Sequence, residues 1–369
     1  MLYTHSVRSP QKVYNPPNPW LDRHVDWEGE PPQTKLEVFR EQARSALVEN
    51  DSPDLGFNWG LNPYRGCYHG CAYCYARPYH EYLGWGAGSD FDRKIVVKEN
   101  IAEVLRRELM AKRWRGERVM LSGVTDCYQP LEASFRLTRA CLEVFLEFRN
   151  PVTIITKSSV IRRDRDLLAQ LAQEADCFVW ISIPFADDDT GRRIEPWASP
   201  VSRRFETLAH LSAAGIPTGV ALAPIIPGLN DSDVAFILER AREAGASRAF
   251  MTSVRLPAGV QDVFQLRISE ALPAPQVRKI QNAVRELRGG ELDESSYHAR
   301  MGGLGERWKA TVALFEGHCR RLGYEQGEPE TPPESTFRRP DAGGQLSLFE
   351  AASPAPAPPV SPDPIRRRD

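Results

Sequence analysis

Three cysteines in one short stretch offer the clearest chemistry in this sequence. Cys67, Cys71 and Cys74 follow a C-x3-C-x2-C spacing, and Tyr73 directly precedes the last of them. Three thiolates this close together can share one inorganic cluster. A [4Fe–4S] cluster that only transfers electrons usually takes four cysteine ligands, and no fourth cysteine lies nearby. Three ligands would leave one iron open to bind a substrate or cofactor, so the spacing predicts a catalytic cluster.

Two other interpretations of this stretch remain open. The cysteines could hold a structural zinc ion, with His69 or His80 as the fourth ligand. They could also be buried cysteines that lie together by chance, although the chain has only seven. Zinc sites of the knuckle type usually draw their ligands from two separated pairs, which this stretch does not contain. The pattern therefore favours an iron–sulfur cluster.

Length and composition restrict the class of protein. The 369 residues suffice for one large domain or two ordinary ones. A formal net charge of −2 gives no global field that would attract nucleic acid, although a local basic patch is still compatible with it. The chain shows no regular cysteine pairing, no apolar leader and no long apolar run. We therefore expect a reduced, cytoplasmic protein without a membrane partner.

Apolar runs predict the elements that position the cysteines. Residues 56–64 are typical of a strand that leads into the cysteine loop. Five further strand-like runs follow, separated by patterns of helical spacing, at residues 119–123, 152–156, 178–183, 218–222 and 249–254. Alternating strands and helices predict an α/β fold with a parallel sheet and right-handed crossovers. Periodicity alone does not distinguish an open doubly wound sheet from a barrel.

Four segments are predicted along the chain. Residues 1–33 are polar and proline-rich and are expected to be disordered, whereas residues 34–254 hold the core. Residues 255–324 carry further helical patterns and should pack on the barrel as an extension. Residues 325–369 are again proline-rich and predict a disordered tail. Within the core, residues 35–49 could form either a helix or an extended hairpin.

Polar residues follow the predicted strands at their carboxyl ends. Asp126 and Glu132 come after the second strand, and Lys157 comes after the third. Function gathers at the carboxyl ends of the strands in barrels of parallel strands. A cation such as Lys157 at the end of a buried strand needs an anionic partner. That partner could be Asp126, Glu132 or a bound ligand.

The cysteine stretch resembles the signature of the radical SAM superfamily, C-x3-C-x-aromatic-C in a loop after the first barrel strand. The resemblance implies a partial (β/α)6 barrel of the TIM type, a [4Fe–4S] cluster and S-adenosylmethionine. The implied reaction is reductive cleavage of S-adenosylmethionine to a 5′-deoxyadenosyl radical, which takes a hydrogen atom from the substrate. It also implies an electron donor such as flavodoxin or ferredoxin as a partner.

Within this superfamily the chain resembles the spore photoproduct lyase group of DNA-repair enzymes. The shared pieces are residues 71–75, the Ser and Asp segment after the second strand, residues 156–158 and Ser182. By this match we expect contacts to the cofactor from Tyr73, Tyr75, Ser122, Asp126, Lys157 and Ser182.

The chain departs from that group at the hydrogen donor. The lyase carries a cysteine on its second strand, where this sequence has Gly123. Cys127 lies four residues further on and could act as a catalytic substitute, or it could be an ordinary buried cysteine. The wider pattern of residues 62–78 is closer to a bacterial radical SAM family whose substrate is not established. The lyase reaction itself therefore does not follow from the resemblance.

Two further features bear on substrate and partners. Arginine pairs in the loops after the third and fourth strands suit phosphate contacts, although they could be solvated loop residues, namely Arg162, Arg163, Arg192 and Arg193. In the tail, one apolar cluster resembles the pentapeptide by which bacterial repair proteins bind the DNA polymerase sliding clamp, formed by Gln345, Leu346, Leu348 and Phe349. This cluster could also fold back on its own domain or occur by chance.

Three functions are compatible with these patterns. The favoured one is a radical SAM enzyme that acts on nucleic acid, in a reaction related to DNA repair. The second is a radical SAM enzyme whose arginines bind an anionic small molecule or a peptide. The third is a non-catalytic adaptor that binds zinc through the same cysteines.

Overall fold

The computed structural model describes residues 35–293, 296–325 and 335–340. Its described residues up to Arg338 belong to one compact unit, and a second unit begins at Arg339. The predictions for residues 1–33 and for the clamp-binding motif at 345–349 lie outside the described residues. Among the described residues, no helix has the length and apolar character required to span a bilayer.

Ten strands of the described residues form two sheets. Their bounds are β1 (Glu37–Glu41), β2 (Leu47–Glu49), β3 (Trp59–Leu61), β4 (Tyr64–Arg65), β5 (Lys94–Lys98), β6 (Val119–Leu121), β7 (Val152–Thr156), β8 (Cys177–Ser182), β9 (Thr218–Ile225) and β10 (Arg248–Ser253). The main sheet has the order β10-β9-β8-β7-β6-β3-β2, and a small sheet has the order β1-β5-β4. All neighbours in the main sheet run parallel except β2, which is antiparallel to β3. This confirms the predicted parallel sheet of six strands.

Eleven α-helices connect and cover the strands of the described residues. Their bounds are α1 (Ser89–Arg93), α2 (Ile101–Met110), α3 (Glu132–Phe135), α4 (Leu137–Glu147), α5 (Arg165–Glu174), α6 (Asp188–Ile194), α7 (Val201–Ser212), α8 (Val234–Glu243), α9 (Val260–Ala271), α10 (Ala274–Leu287) and α11 (Gly305–Leu322). Short 3₁₀ helices cover Arg77–Leu83, Ser159–Asp164 and Ala299–Met301.

The core lies between the main sheet and its helices. In α4, Leu137, Cys141, Leu142 and Phe145 recur at helical spacing and are buried. The predicted α/β fold with a parallel sheet is confirmed. In the described part of the chain, the edge strands β10 and β2 pair with no further strand, so the sheet is not closed into a full barrel.

The strand before the cysteines is shorter than predicted. The single strand expected at residues 56–64 is divided into β3 and β4 around Pro63. Proline lacks the N–H that a ladder needs, which explains the interruption. Residues 35–49 contain the extended strands β1 and β2 and no helix, but the two strands lie in different sheets and do not form the predicted hairpin. As a result, the cysteine loop leaves the main sheet and begins at the small one.

The carboxyl-terminal part packs on the outside of the sheet. Helix α11 contacts α8, and α9 contacts α6. Beyond these helices, Phe337 stacks on Phe148 with ring centroids 6.3 Å apart, and Arg338 donates its backbone N–H to the Phe148 carbonyl. Part of the segment predicted as tail is thus attached near the amino end of β7.

Candidate active site

The cysteine loop runs as successive turns between β4 and the 3₁₀ helix Arg77–Leu83. The backbone N–H of Gly70 donates to Cys67, that of Cys74 to Cys71, and that of Arg77 to Cys74, each over 3.3 Å. Gly66 has a φ of 76°, and a Cβ there would lie 2.8 Å from the Phe91 carbonyl oxygen. Only glycine fits at that position, which explains the residue directly before the first cysteine.

The three thiols lie close enough to influence one another. Cys67 and Cys71 are buried, and Cys74 is half-buried. Burial raises the pKa of Cys71 well above its usual value, and burial raises that of Cys74 to about 11. Lys157 acts in the opposite direction on both thiols. A metal centre bound by Cys71 and Cys74 would therefore have to displace their protons.

Buried charges hold the inner side of the loop. The Arg77 guanidinium is fully buried and donates to the carbonyls of Cys71, Ala87 and Gly88 over 2.7 to 3.2 Å. Its Nη2 also lies 2.9 Å from Oδ1 of Asp92. Arg267 on α9 binds the other carboxylate oxygen of Asp92 and the Gly70 carbonyl.

The group formed by Arg77, Asp92 and Arg267 carries an excess of positive charge, because one carboxylate binds two guanidinium groups. The Nε of Arg267 is buried and has no hydrogen-bond partner among the described residues. A cluster with three thiolate ligands is anionic, so the surplus cation is consistent with such an occupant. Sequence reasoning missed Asp92 and Arg267, which lie far from the cysteines in the chain.

Two other segments bind the loop backbone. Thr125 Oγ1 and Gln129 Nε2 donate to the Gly66 carbonyl, over 2.6 and 3.3 Å. On the opposite side, the Ile194 carbonyl accepts from Ala72, and the backbone N–H of Trp197 donates to His69. Segments that follow β6 and α6 thus fix the path of the loop on both sides.

Lys157 reaches the loop as its sequence position suggested, but with a different partner. Its Nζ lies 3.9 Å from Oε1 of Glu195 and 5.8 Å from the centroid of the Tyr73 ring. Glu195 is fully buried, accepts from the Tyr73 hydroxyl and lies 2.5 Å from Nη2 of Arg204. The anionic partner is therefore neither Asp126 nor Glu132. Glu195 directly follows α6, and no spacing pattern in the sequence pointed to it.

Asp126 supports the loop from below. Its carboxylate lies 3.3 Å from Nδ1 of the buried His69 and accepts from Thr156 Oγ1 and from the backbone N–H of Lys157. These contacts lower the pKa of Asp126 to about 2, against the opposing effect of its burial. In the described structure its carboxylate oxygens therefore bind His69 in the loop and the residues at the end of β7.

The remaining predicted residues are placed around this centre. The Tyr75 hydroxyl donates to the Gly123 carbonyl over 2.6 Å. Ser122 Oγ accepts from the Cys127 backbone N–H, and Ser182 Oγ donates to the Ala223 carbonyl. Tyr73 and Tyr75 belong to the loop and Lys157 contacts the Tyr73 ring, whereas the hydroxyls of Ser122 and Ser182 bind Cys127 and Ala223, outside the loop.

The candidate hydrogen donor lies in the core. Cys127 is fully buried, and burial raises its pKa well above the usual value. At Gly123 an added Cβ would meet only Asn62 Nδ2, at 3.9 Å. A side chain at position 123 would therefore fit, so steric crowding does not explain the glycine.

Three of the four predicted substrate arginines bind carboxylates. Arg163 lies 2.6 Å from Glu132, whose Oε2 also accepts from the Tyr64 hydroxyl. Arg162 lies 3.7 Å from Glu206, and Arg193 lies 2.9 Å from Asp189. Arg192 is exposed on α6. The structure brings none of these arginines into a described contact with the cysteine loop.

A single metal ion needs several donor side chains that converge on one point. Among the described residues, no three His, Cys, Asp or Glu side chains converge as a single metal ion would require. A tetrahedral zinc ion with bonds of about 2.3 Å to sulfur brings its ligands to within about 4 Å of one another. A polynuclear cluster binds each cysteine through a different iron and does not need that convergence. Three thiols that interact electrostatically with one another are the type of donor that an iron–sulfur cluster takes.

Comparisons with known proteins agree with the geometry. The sequence pattern of the Radical SAM superfamily matches residues 61–241. An uncharacterized protein of Mycobacterium tuberculosis is 35% identical over 221 residues, which cover 59% of this chain and 65% of that protein. An uncharacterized protein of Methanocaldococcus jannaschii is 30% identical over 54% of this chain and 71% of that protein. The chain thus spans just under two thirds of the mycobacterial relative.

A third relative has a name that includes an activity. A protein of Pseudomonas phage M6 called Radical SAM Nalpha-GlyT isomerase is 22% identical over 73% of this chain and 54% of that protein.

Solved structures of spore photoproduct lyase share the fold. The complex with dinucleoside spore photoproduct superimposes with a TM-score of 0.56 at 14% identity, over 80% of this chain and 85% of that one. A mutant with bound AdoMet gives a TM-score of 0.54 at 14% identity, over 77% and 79% of the two chains. At this identity the likeness establishes the fold alone.

Proposed function

Because the chain belongs to the radical SAM superfamily of enzymes, we propose that it holds a [4Fe–4S] cluster on Cys67, Cys71 and Cys74 and acts with S-adenosylmethionine on nucleic acid. Members of this superfamily use both cofactors. One observation carries the proposal: the three cysteines lie on successive turns whose carbonyls are bound by Arg77 and Arg267. A loop fixed in this way would hold the three cysteines in place as ligands of the cluster.

The residues around the loop have distinct roles in this proposal. Lys157 brings a positive charge to the rim of the loop, where Glu195 and the Tyr73 ring hold its ammonium group. That charge suits the carboxylate of S-adenosylmethionine. When bound, the cluster and this cofactor supply a 5′-deoxyadenosyl radical for abstraction of a hydrogen atom from substrate. The buried Tyr73 and Cys71 exclude water from that side.

Nucleic acid is proposed as the substrate class from the names of similar proteins. Spore photoproduct lyase has been solved with a dinucleoside lesion, and the fold of this chain is the same. Tyr75, Tyr79 and Tyr82 beside the cysteines are exposed, and the half-buried Arg255 lies next to the Tyr75 ring. Aromatic and arginine side chains are the residue types that contact unpaired bases and phosphates. A DNA-repair reaction is the specific form of this proposal.

Anaerobic reconstitution tests the cluster. We expect the full chain to bind about four irons and to show the absorbance and electron paramagnetic resonance of a reducible [4Fe–4S] cluster. The Cys71→Ala variant should lose most of this iron. Cys141→Ala is the matched control, since Cys141 is a buried cysteine on α4 outside the loop. Stoichiometric zinc without iron, or equal iron in both variants, would refute the cluster.

A further inference from the structure

The outer side of the cysteine loop carries four exposed tyrosines. Tyr75, Tyr79, Tyr82 and Tyr297 have exposed fractions of 42%, 53%, 70% and 51%. Three of them follow the last cysteine within eight residues, and the fourth comes from the segment before α11. These four residues together with Arg255 are called the tyrosine face.

Contacts between its members make the face continuous. The rings of Tyr79 and Tyr82 lie 6.4 Å apart, and the Arg255 guanidinium lies 5.3 Å from the Tyr75 ring centroid. Arg300 lies 4.6 Å from the Tyr297 ring and also interacts electrostatically with Tyr79. Aromatic rings and guanidinium groups thus alternate along one surface beside the cysteine loop.

The charge of this face differs from that of the predicted arginine loops. Arg163 and Arg193 are neutralised by carboxylates within 3 Å. Arg255 forms no ion pair within 4 Å with any residue that the structure describes, although Asp54 and Asp293 act on it electrostatically from further away. A half-buried guanidinium group whose donors are not taken up by a carboxylate is available to bind a phosphate.

A cavity of about 100 Å³ opens between the face and the cluster loop. Tyr79, Tyr82, His80 and Phe91 provide aromatic walls, and Gly66, directly before the first cysteine, also lines it. Burial lowers the pKa of His80 to about 4, so this ring is neutral at pH 7. These aromatic walls suit a flat ring, and Arg65, which is paired with Glu41, also lines the cavity.

We propose that the tyrosine face binds unpaired nucleotides, with bases stacked on Tyr79 and Tyr82 and a phosphate held by Arg255. This inference rests on the proposed function for its nucleic-acid substrate class. It assigns the binding surface to residues around the cysteine loop rather than to the arginine loops after β7 and β8. An unpaired base placed here lies next to the radical-generating centre, as a hydrogen abstraction requires.

Fluorescence anisotropy with a labelled single-stranded 20-mer tests the proposal. The double variant Tyr79→Ala/Tyr82→Ala should bind at least about tenfold more weakly, since each stacked base contributes an effect of that size or more. The double variant Tyr79→Phe/Tyr82→Phe should retain wild-type affinity, because stacking needs the rings and not the hydroxyls. Arg255→Gln should reduce the slope of log affinity against log salt by about 0.7, the loss of one phosphate contact.

Phe236→Ala is the matched control, because Phe236 is a 47% exposed aromatic ring beside Arg240 on α8, away from the face. It should leave affinity unchanged. Equal affinity of the wild type and the Tyr79→Ala/Tyr82→Ala variant would overturn the inference while leaving the proposed function intact. If the wild type showed no salt-sensitive binding, both this inference and the nucleic-acid substrate of the proposed function would be refuted. The cluster and cofactor cleavage are measured separately, without oligonucleotide.

Discussion

The two sides of the cysteine loop are built in opposite ways. On the inner side, Arg77, Asp92 and Arg267 are all buried and bind one another and the loop carbonyls. On the outer side, Tyr79 and Tyr82 expose more than half of their surface. The buried contacts of the inner side fix the positions of the cysteines, whereas the exposed outer side is accessible to a reversibly bound partner. The difference shows that one short motif combines a rigid buried side with an exposed side, which are the two properties that the proposed cofactor and substrate sites require.

The inner side predicts the largest effect. Asp92→Asn removes the carboxylate shared by two buried guanidinium groups, so we expect a loss of about 3–5 kcal/mol in the free energy of unfolding. Urea denaturation measures it. Asp189→Asn breaks an exposed pair with Arg193 and should cost at most about 1 kcal/mol. Equal effects of the two variants would show that the inner side is no more critical than the surface.

Arg163, which was predicted to bind substrate, provides a second test of the contrast between buried and exposed contacts. Arg163 donates to both the carbonyl and the carboxylate of Glu132, so Arg163→Gln should destabilise the fold by about 1–3 kcal/mol. Oligonucleotide affinity should not change. Arg192→Gln, on the exposed surface of α6, is the control for stability. A tenfold loss of oligonucleotide affinity in Arg163→Gln at unchanged stability would instead support the prediction that Arg163 contacts the substrate.

The smallest effect concerns pH at the edge of the tyrosine face. Hydrogen bonds from Arg300, with the His298 backbone N–H, lower the pKa of Asp54 from 3.8 to about 2. A carboxyl with a lowered folded pKa stabilises the fold above pH 3.8, and this contribution is lost as the pH falls towards 2. The unfolding free energies of the wild type and Asp54→Asn should therefore differ by a constant amount above pH 4 and converge below it. A difference that persists unchanged at pH 2 would contradict this.

Local patterns in the sequence predict the scaffold and the ligands. The spacing of Cys67, Cys71 and Cys74 predicts the loop, and alternating apolar runs predict β6 to β10 within a few residues. Lys157 was correctly expected to need an anion, because its position after a buried strand follows from the same patterns.

Contacts between distant segments were not predictable in this way. Glu195 pairs with Lys157, and Arg267 binds Gly70, although 197 residues separate the last two in the chain. The periodicity of the sequence does not indicate which of its many charged residues becomes buried beside the loop. The ion pairs of Arg162 and Arg193 were not predictable for the same reason, because Glu206 and Asp189 become their partners only in the folded chain.

The most direct test is formation of 5′-deoxyadenosine by the anaerobically reconstituted protein. With dithionite and S-adenosylmethionine, we expect 5′-deoxyadenosine and methionine in equal amounts from the wild type and none above background from Cys71→Ala. Liquid chromatography with mass detection measures both products. A wild-type protein that holds about four irons per chain and still forms no 5′-deoxyadenosine under these conditions would contradict the account.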